Sequence, residues 1–380
     1  MDIKLNKQIY KVQTSMIRQF NDLAQKYNAK YYLTLGEPDF PTPQVIKDAC
    51  ISALNNNMTY YGPTVGLEST RKAVCEFEKR VNGVTYTPDQ VLITCGCTEA
   101  VTASMLTMLN EGDEVIIPIP TFTLYRQVAE FVNAKVVTMD TSTNNFQISK
   151  EMLDKAITSK TKAIVITSPN NPTGIILNDE SLKAIHDAVK DKNIYIISDD
   201  VYNQIVFNER TVGLQRYDDI KDQLIICQSF SKPYAMPGWR CGYLIANQAF
   251  IEQATKVHQY MITGVNTFVQ PALEVALSYD PHEMIDTYHL RRDYVYNRLI
   301  KMGLEVIKPD GAFYIFPSIK KFGLDSFTFC ERLVKEYSVA FIPGICFETE
   351  GYVRISYCVK METIEYALDS LEKFIKELKQ

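Results

Sequence analysis

The run Gln228-Ser229-Phe230-Ser231-Lys232-Pro233-Tyr234-Ala235-Met236-Pro237-Gly238-Trp239-Arg240 follows directly on an apolar stretch, Leu224-Ile225-Ile226-Cys227. The apolar residues read as a buried strand, which puts Lys232 in the loop just past its end. A lysine held there loses water, and desolvation lowers its pKa toward that of a usable amine. The hydroxyls of Ser229 and Ser231 and the guanidinium of Arg240 surround it with an anion site of the kind that holds a phosphate. Ser-Phe-Ser-Lys alone also fits a solvated turn. The rest of the chain decides against that.

Working outward, β-rich runs at residues 90–94, 114–119, 135–139, 163–167, 194–198, 224–228 and 241–246 alternate with helical patterns such as 98–110, 124–132 and 179–190. The runs are mostly continuous Val, Ile and Leu, as expected of strands covered on both faces. Strand and helix in alternation predict an α/β domain with a mainly parallel seven-stranded sheet. Past Val269 the texture changes to a long polar helix over 281–302, short strands at 312–316 and 352–357, and a closing helix over 361–378. That tail reads as a smaller α+β domain. The expected division is an amino-terminal arm with part of the small domain over 1–45, a large domain over 46–275 and the small domain over 276–380.

Composition excludes several classes. A chain of 380 residues exceeds one common core, so two domains are the default. Forty basic against forty-five acidic residues, net −5, argue against a nucleic-acid partner. No apolar run approaches the roughly 20 residues a membrane helix needs. The opening Met1-Asp2-Ile3-Lys4-Leu5-Asn6-Lys7 lacks the apolar core of a signal peptide. Nine cysteines, an odd number without framework spacing, are expected as free thiols of a cytoplasmic protein. Cys95-Gly96-Cys97 looks like a metal or redox pair, but the chain has four histidines and none lies nearby in sequence, so no metal is expected.

The unusual residues share one address. Gly96-Cys97-Thr98, Pro120-Thr121-Phe122, Asn171-Pro172-Thr173-Gly174, Asp199-Asp200-Val201-Tyr202 and residues 229–232 each follow the carboxyl end of a predicted strand. Ligands of open α/β sheets bind beyond those ends. Gly96, Cys97 and Thr98 open a predicted helix, whose free amides attract anions, and glycine lets the backbone come close. A nucleophilic amine beside a phosphate cradle is what pyridoxal 5′-phosphate requires of a protein.

Taken together with Leu35-Gly36-Glu37-Pro38-Asp39-Phe40, Tyr61-Gly62-Pro63-Thr64-Val65-Gly66 and Val353-Arg354-Ile355-Ser356, these strings make the chain resemble the class I aminotransferases, the aspartate- and aromatic-aminotransferase-like enzymes of fold type I. Each string alone is weak. In this order, over residues 15–357, they are specific.

The resemblance implies roles. Lys232 would hold the cofactor covalently and shuttle the substrate proton. Asp199 would pair with the pyridine nitrogen, Tyr202 and Asn171 would reach the phenolic oxygen, and Phe122 would stack on the ring. Gly96, Cys97 and Thr98, with Ser229 and Arg240, would cradle the phosphate through backbone amides, hydroxyl and guanidinium, the Cys97 sulfur being incidental. Arg354 would grip the substrate α-carboxylate with two parallel hydrogen bonds, helped by Gly36 and Asn171. Tyr61 would reach the phosphate of a neighbouring subunit, so the active unit would be a homodimer with shared sites. For Arg240 to meet the phosphate beside Gly96, its strand must run antiparallel to the others. Cis bonds are expected at Ile119-Pro120 and Asn171-Pro172.

The implied reaction moves an amino group between an L-amino acid, aromatic or of broad range, and a 2-oxo acid such as 2-oxoglutarate. Met16 and Ile17 are expected in the side-chain pocket, and no second cation for a distal carboxylate stands out. Two rivals share the scaffold. A C–S β-lyase would use the same Lys232, Asp199 and Arg354. A cofactor-sensing transcription regulator would carry a helix-turn-helix module ahead of this domain, for which the sequence start leaves no room, and the acidity of the chain counts against it.

Overall fold

The buried aliphatic runs form one sheet. The computed structural model describes residues 4–208 and 212–378. After a two-residue strand β1 (Tyr31–Tyr32), the chain lays down β2 (Val91–Thr94), β3 (Glu114–Ile119), β4 (Lys135–Asp140), β5 (Thr161–Thr167), β6 (Tyr195–Asp199), β7 (Leu224–Ser229) and β8 (Gly242–Ile245). These seven pair in the order β2-β8-β7-β6-β5-β3-β4. All are parallel except β8, which runs antiparallel to both β2 and β7. In register, Gly242 faces Thr94 on one side and Ser229 on the other. That pairing puts Arg240, two residues earlier, at the carboxyl ends of the parallel strands.

The runs are apolar throughout because both faces are covered. Leu224 and Ile226 enter one apolar cluster and Ile225 and Cys227 the other, following the two-residue alternation of a strand. A third cluster lies under β9 (Tyr314–Ile315), β10 (Val339–Ala340), β11 (Ile342–Pro343) and β12 (Val353–Ser356). β11-β12-β9 form an antiparallel sheet, and β10 pairs in parallel with β1. Phe20, Ala24 and Leu33 from the amino-terminal segment pack in this third cluster, with the helices His282–Lys301, Ser326–Tyr337 and Met361–Glu377 beside them.

The bonds Ile119-Pro120 and Asn171-Pro172 are cis as expected, and Ser168-Pro169, not anticipated, is cis as well. Among the described residues no helix is long and apolar enough to cross a membrane.

Candidate active site

β7 ends in Ser229, whose Oγ donates to Ser231 Oγ at 2.8 Å and accepts the Ser231 amide at 3.0 Å. The turn so locked presents Lys232, whose Nζ donates to the Gly36 carbonyl. Burial holds the Lys232 amine below the ordinary lysine value. Cys358 and Glu37 push it back up, while the Arg240 and Arg354 charges add to the lowering.

β6 ends in Asp199. Its carboxylate accepts from Tyr125 Oη at 2.7 Å and from the Val201 amide at 3.2 Å. Burial raises the Asp199 pKa, and the donors Tyr125, Val201 and the Cys97 thiol oppose it. The Cys97 sulfur, expected to be incidental, thus faces the key carboxylate, because Cys97 starts a helix packed directly over the sheet. A cation set against Asp199 would act in the same direction as these donors.

β2 and β8 build a cradle. Gly96 caps the helix Cys97–Met108 with no side-chain hydrogen bond to its amides, which leaves them for an anion. Its φ is +80°, and a Cβ there would lie 2.7 Å from Arg240 Nη2. At Gly242 a Cβ would lie 2.9 Å from the Cys97 nitrogen, so β8 can press against this turn because glycine is there. Arg240 itself adopts a left-handed φ of +53° and is anchored by its Nη1 donating to the Pro237 carbonyl at 3.0 Å.

β12 supplies Arg354, buried between the rings of Tyr314 and Phe347 at 4.6 and 4.8 Å. Its Nη1 donates to Asn171 Oδ1 at 2.9 Å and its Nη2 to the Thr34 carbonyl. Its Nε and the nearby Thr34 Oγ1 are buried without a partner among the described residues. Tyr202 Oη and Tyr314 Oη lie 2.8 Å apart.

One cavity of about 350 Å³, a size fit for a small molecule, gathers these groups. Gly36, Cys97, Thr98, Phe122, Asn171, Asp199, Tyr202, Ser229, Lys232, Arg240 and Arg354 all line it. Gly96 stands behind Arg240 rather than in the wall. Tyr61 lies elsewhere, 94% exposed, beside a surface pocket shared with residues 262–268. Ile17 is in the wall but Met16 is not, because adjacent helical residues point about 100° apart.

Sequence reasoning missed Tyr125, Tyr314, Thr34 and Arg18, all of which line the cavity. Arg18 adds to the cavity wall a further cation that the sequence did not single out. It stands in the first turn of the helix Met16–Lys26, next to Ile17 in the segment that had drawn attention for its apolar residues.

A family model for aminotransferase classes I and II matches residues 29–371. The chain belongs to this family. The aminotransferase is 37% identical over 381 residues to a Bacillus subtilis protein named "Probable N-acetyl-LL-diaminopimelate aminotransferase", covering 99% of this chain and 96% of that one. It is 38% identical to aromatic-amino-acid aminotransferase 2 of Thermococcus litoralis, with 99% of each chain covered. The crystal structure of an aromatic aminotransferase from Pyrococcus horikoshii superposes with a TM-score of 0.90 at 37% identity, covering 95% of this chain and 99% of that one. These relatives are named for amino transfer, which favours that reaction over C–S cleavage. The family uses pyridoxal phosphate, and the residues of the aminotransferase fit it. The glycine-backed cradle has room for a phosphate, the buried Asp199 suits a ring cation, and the partnerless Arg354 Nε suits a carboxylate.

Proposed function

We propose that the aminotransferase holds pyridoxal 5′-phosphate in this cavity and moves the amino group of an L-amino acid, aromatic or of broad range, to a 2-oxo acid such as 2-oxoglutarate. The observation that carries the reading is the convergence of Lys232, Asp199, Arg240 and Arg354 on one cavity from four different strand ends.

Bound there, the cofactor supplies a protonated ring that draws off the electron pair left when the substrate Cα–H bond breaks. Lys232 would anchor it through the desolvated amine; once freed by substrate, Nζ would carry the proton from Cα. Asp199 would stay ionised against the ring nitrogen. The amides at Gly96, Cys97 and Thr98, the Ser229 hydroxyl and Arg240 would bind the phosphate, and Phe122 would cover the ring. Asn171 Oδ1 is already taken by Arg354, which leaves its Nδ2 as the group that would donate, with Tyr202, to the phenolic oxygen. Arg354, fixed by two acceptors and two aromatic faces, would meet the α-carboxylate with little reorganisation. Gly36 lets its backbone lie against the Tyr314 hydroxyl, since a Cβ there would fall 2.0 Å from Tyr314 Oη, and would help hold the same end of the substrate.

Two features support a broad range. Ile17 offers apolar wall, and Arg18 offers a cation for the distal carboxylate of 2-oxoglutarate. The relatives' names span aromatic and diaminopimelate-type substrates. The active unit would be a cytoplasmic homodimer in which Tyr61 serves the partner's phosphate, and the small domain over 276–380 would close over bound substrate.

Lys232→Ala tests the reading at its core. The variant should fold and bind the cofactor without a covalent bond. Borohydride treatment should then fix no cofactor to the variant while fixing it to the wild type. Cofactor still reducible onto the variant would defeat the assignment.

A further inference from the structure

Behind the cradle lies a buried pair that the proposed chemistry does not use. His258, on the helix Gln248–Ile262, is 0% exposed, and Glu99, in the first turn of the helix Cys97–Met108, is 6% exposed. His258 Nδ1 and Glu99 Oε1 are hydrogen-bonded at 2.9 Å. Glu99 Oε2 accepts the Cys95 amide at 2.8 Å, at the turn into the cradle. On its other side, His258 Nε2 lies 3.0 Å from the Thr64 carbonyl. A carbonyl only accepts, so Nε2 carries the hydrogen. Thr64 follows Tyr61 by three residues, and Thr267 Oγ1 holds the same loop by donating to the Tyr60 carbonyl at 2.7 Å.

Four groups therefore run in a line from the cradle turn to the exposed loop: the Cys95 amide, the Glu99 carboxylate, the His258 ring and the Thr64 carbonyl. Buried polar groups with both ends satisfied hold their neighbours to one geometry. Gly96 gives the cradle turn no side chain of its own to brace it, and Glu99 supplies the brace from one turn along.

We propose that His258 is a positioning residue that ties the phosphate cradle of its own chain to the loop carrying Tyr61. The proposal rests on the reading above of cradle and loop. One imidazole then sets two parts of the phosphate site, its own chain's cradle through Glu99 and the partner's through Tyr61.

The test uses full-length protein and two probes: inorganic phosphate titrated into the apo-protein, and the cofactor titrated by absorbance. His258→Leu removes both hydrogen bonds and should weaken phosphate binding about tenfold, the worth of one buried hydrogen bond. Glu99→Gln keeps the line intact with its polarity reversed, the amide donating to Nδ1 and its oxygen still accepting from Cys95, and should stay within about twofold of wild type. If His258 also acts through the loop, its cost shrinks in a Tyr61→Phe background, so the double variant loses less than the product of the single losses. Losses that multiply would overturn the connection to the loop. Phosphate bound by His258→Leu as tightly as by wild type would overturn the proposal entirely. Should that variant fail to fold, His258→Gln, too short to span Glu99 and Thr64 together, gives the same comparison. A Tyr61→Phe protein with wild-type phosphate affinity would instead refute the role of Tyr61, and His258→Leu alone then reads the hold on the cradle.

Discussion

At the scale of single residues, Asp199 and Asp200 show how one peptide step changes the chemistry. Asp199 faces the active cavity, while Asp200 faces a separate small one and accepts from Ser198 Oγ at 2.6 Å and Gln215 Nε2 at 2.7 Å. Burial pushes the Asp200 pKa from 3.8 up to about 7, with Glu78 adding to the rise. The folded chain therefore keeps a proton that the unfolded chain has released across that window, and stability falls as pH rises from about 4 to about 7. The loss is on the order of a few kcal/mol. Asp200→Asn should flatten this part of the pH dependence of apo-protein Tm; an unchanged slope between pH 4 and 8 would contradict the assignment. That Lys232, Asp199, Arg240 and Arg354 belong to one cavity was legible in the sequence because each sits in a short, unusual string in or beside a strand. Tyr125 and Tyr314 were not. Among 23 tyrosines neither has a telling local context, and their partners Asp199 and Tyr202 lie 74 and 112 positions away.

At the scale of elements, the antiparallel run of β8 could be argued from Arg240 alone, because a strand that begins at the site must point away from it. The need for glycine at Gly242 was hidden, since it arises from backbone packing across two neighbouring strands. A Cβ there would meet the Gln228 carbonyl at 2.4 Å as well as the Gly96 turn. Gly242→Ala should cost roughly 1–3 kcal/mol in stability, the usual penalty for overpacking, and weaken cofactor binding at the displaced cradle. Wild-type Tm and affinity in that variant would show that the turn yields freely. The long aliphatic strands announced themselves by their runs. β1, β10 and β11 did not, being two residues each and defined by distant pairings such as Tyr31 with Val339.

At the scale of the whole molecule, Tyr61 is the residue whose place a single chain does not explain. It is an aromatic side chain left almost wholly in solvent, with Tyr60 beside it and Tyr260 close in the chain to the same surface pocket, both also exposed. A two-fold dimer in which Tyr61 reaches the partner's phosphate, as proposed above, would account for it. Mixed dimers of Tyr61→Phe and Lys232→Ala chains separate the cases. If Tyr61 crosses, one site carries both defects and the other neither, so one site turns over like wild type. If it stays within its own chain, no site is intact, and activity does not exceed that of the Tyr61→Phe enzyme. The Tyr61 string is what raises the expectation of a shared site, whereas Arg18 became visible when the fold brought the helix Met16–Lys26 against the cavity.

The most direct measurement is a half-reaction. Purified enzyme loaded with pyridoxal phosphate is mixed with one amino acid and no oxo acid, and products are counted against active sites. Amino transfer by this cavity predicts one 2-oxo acid per site, a cofactor converted to its amine form, no free ammonia, and restoration of the starting absorbance when 2-oxoglutarate is added. Continuous release of ammonia without an acceptor would contradict it.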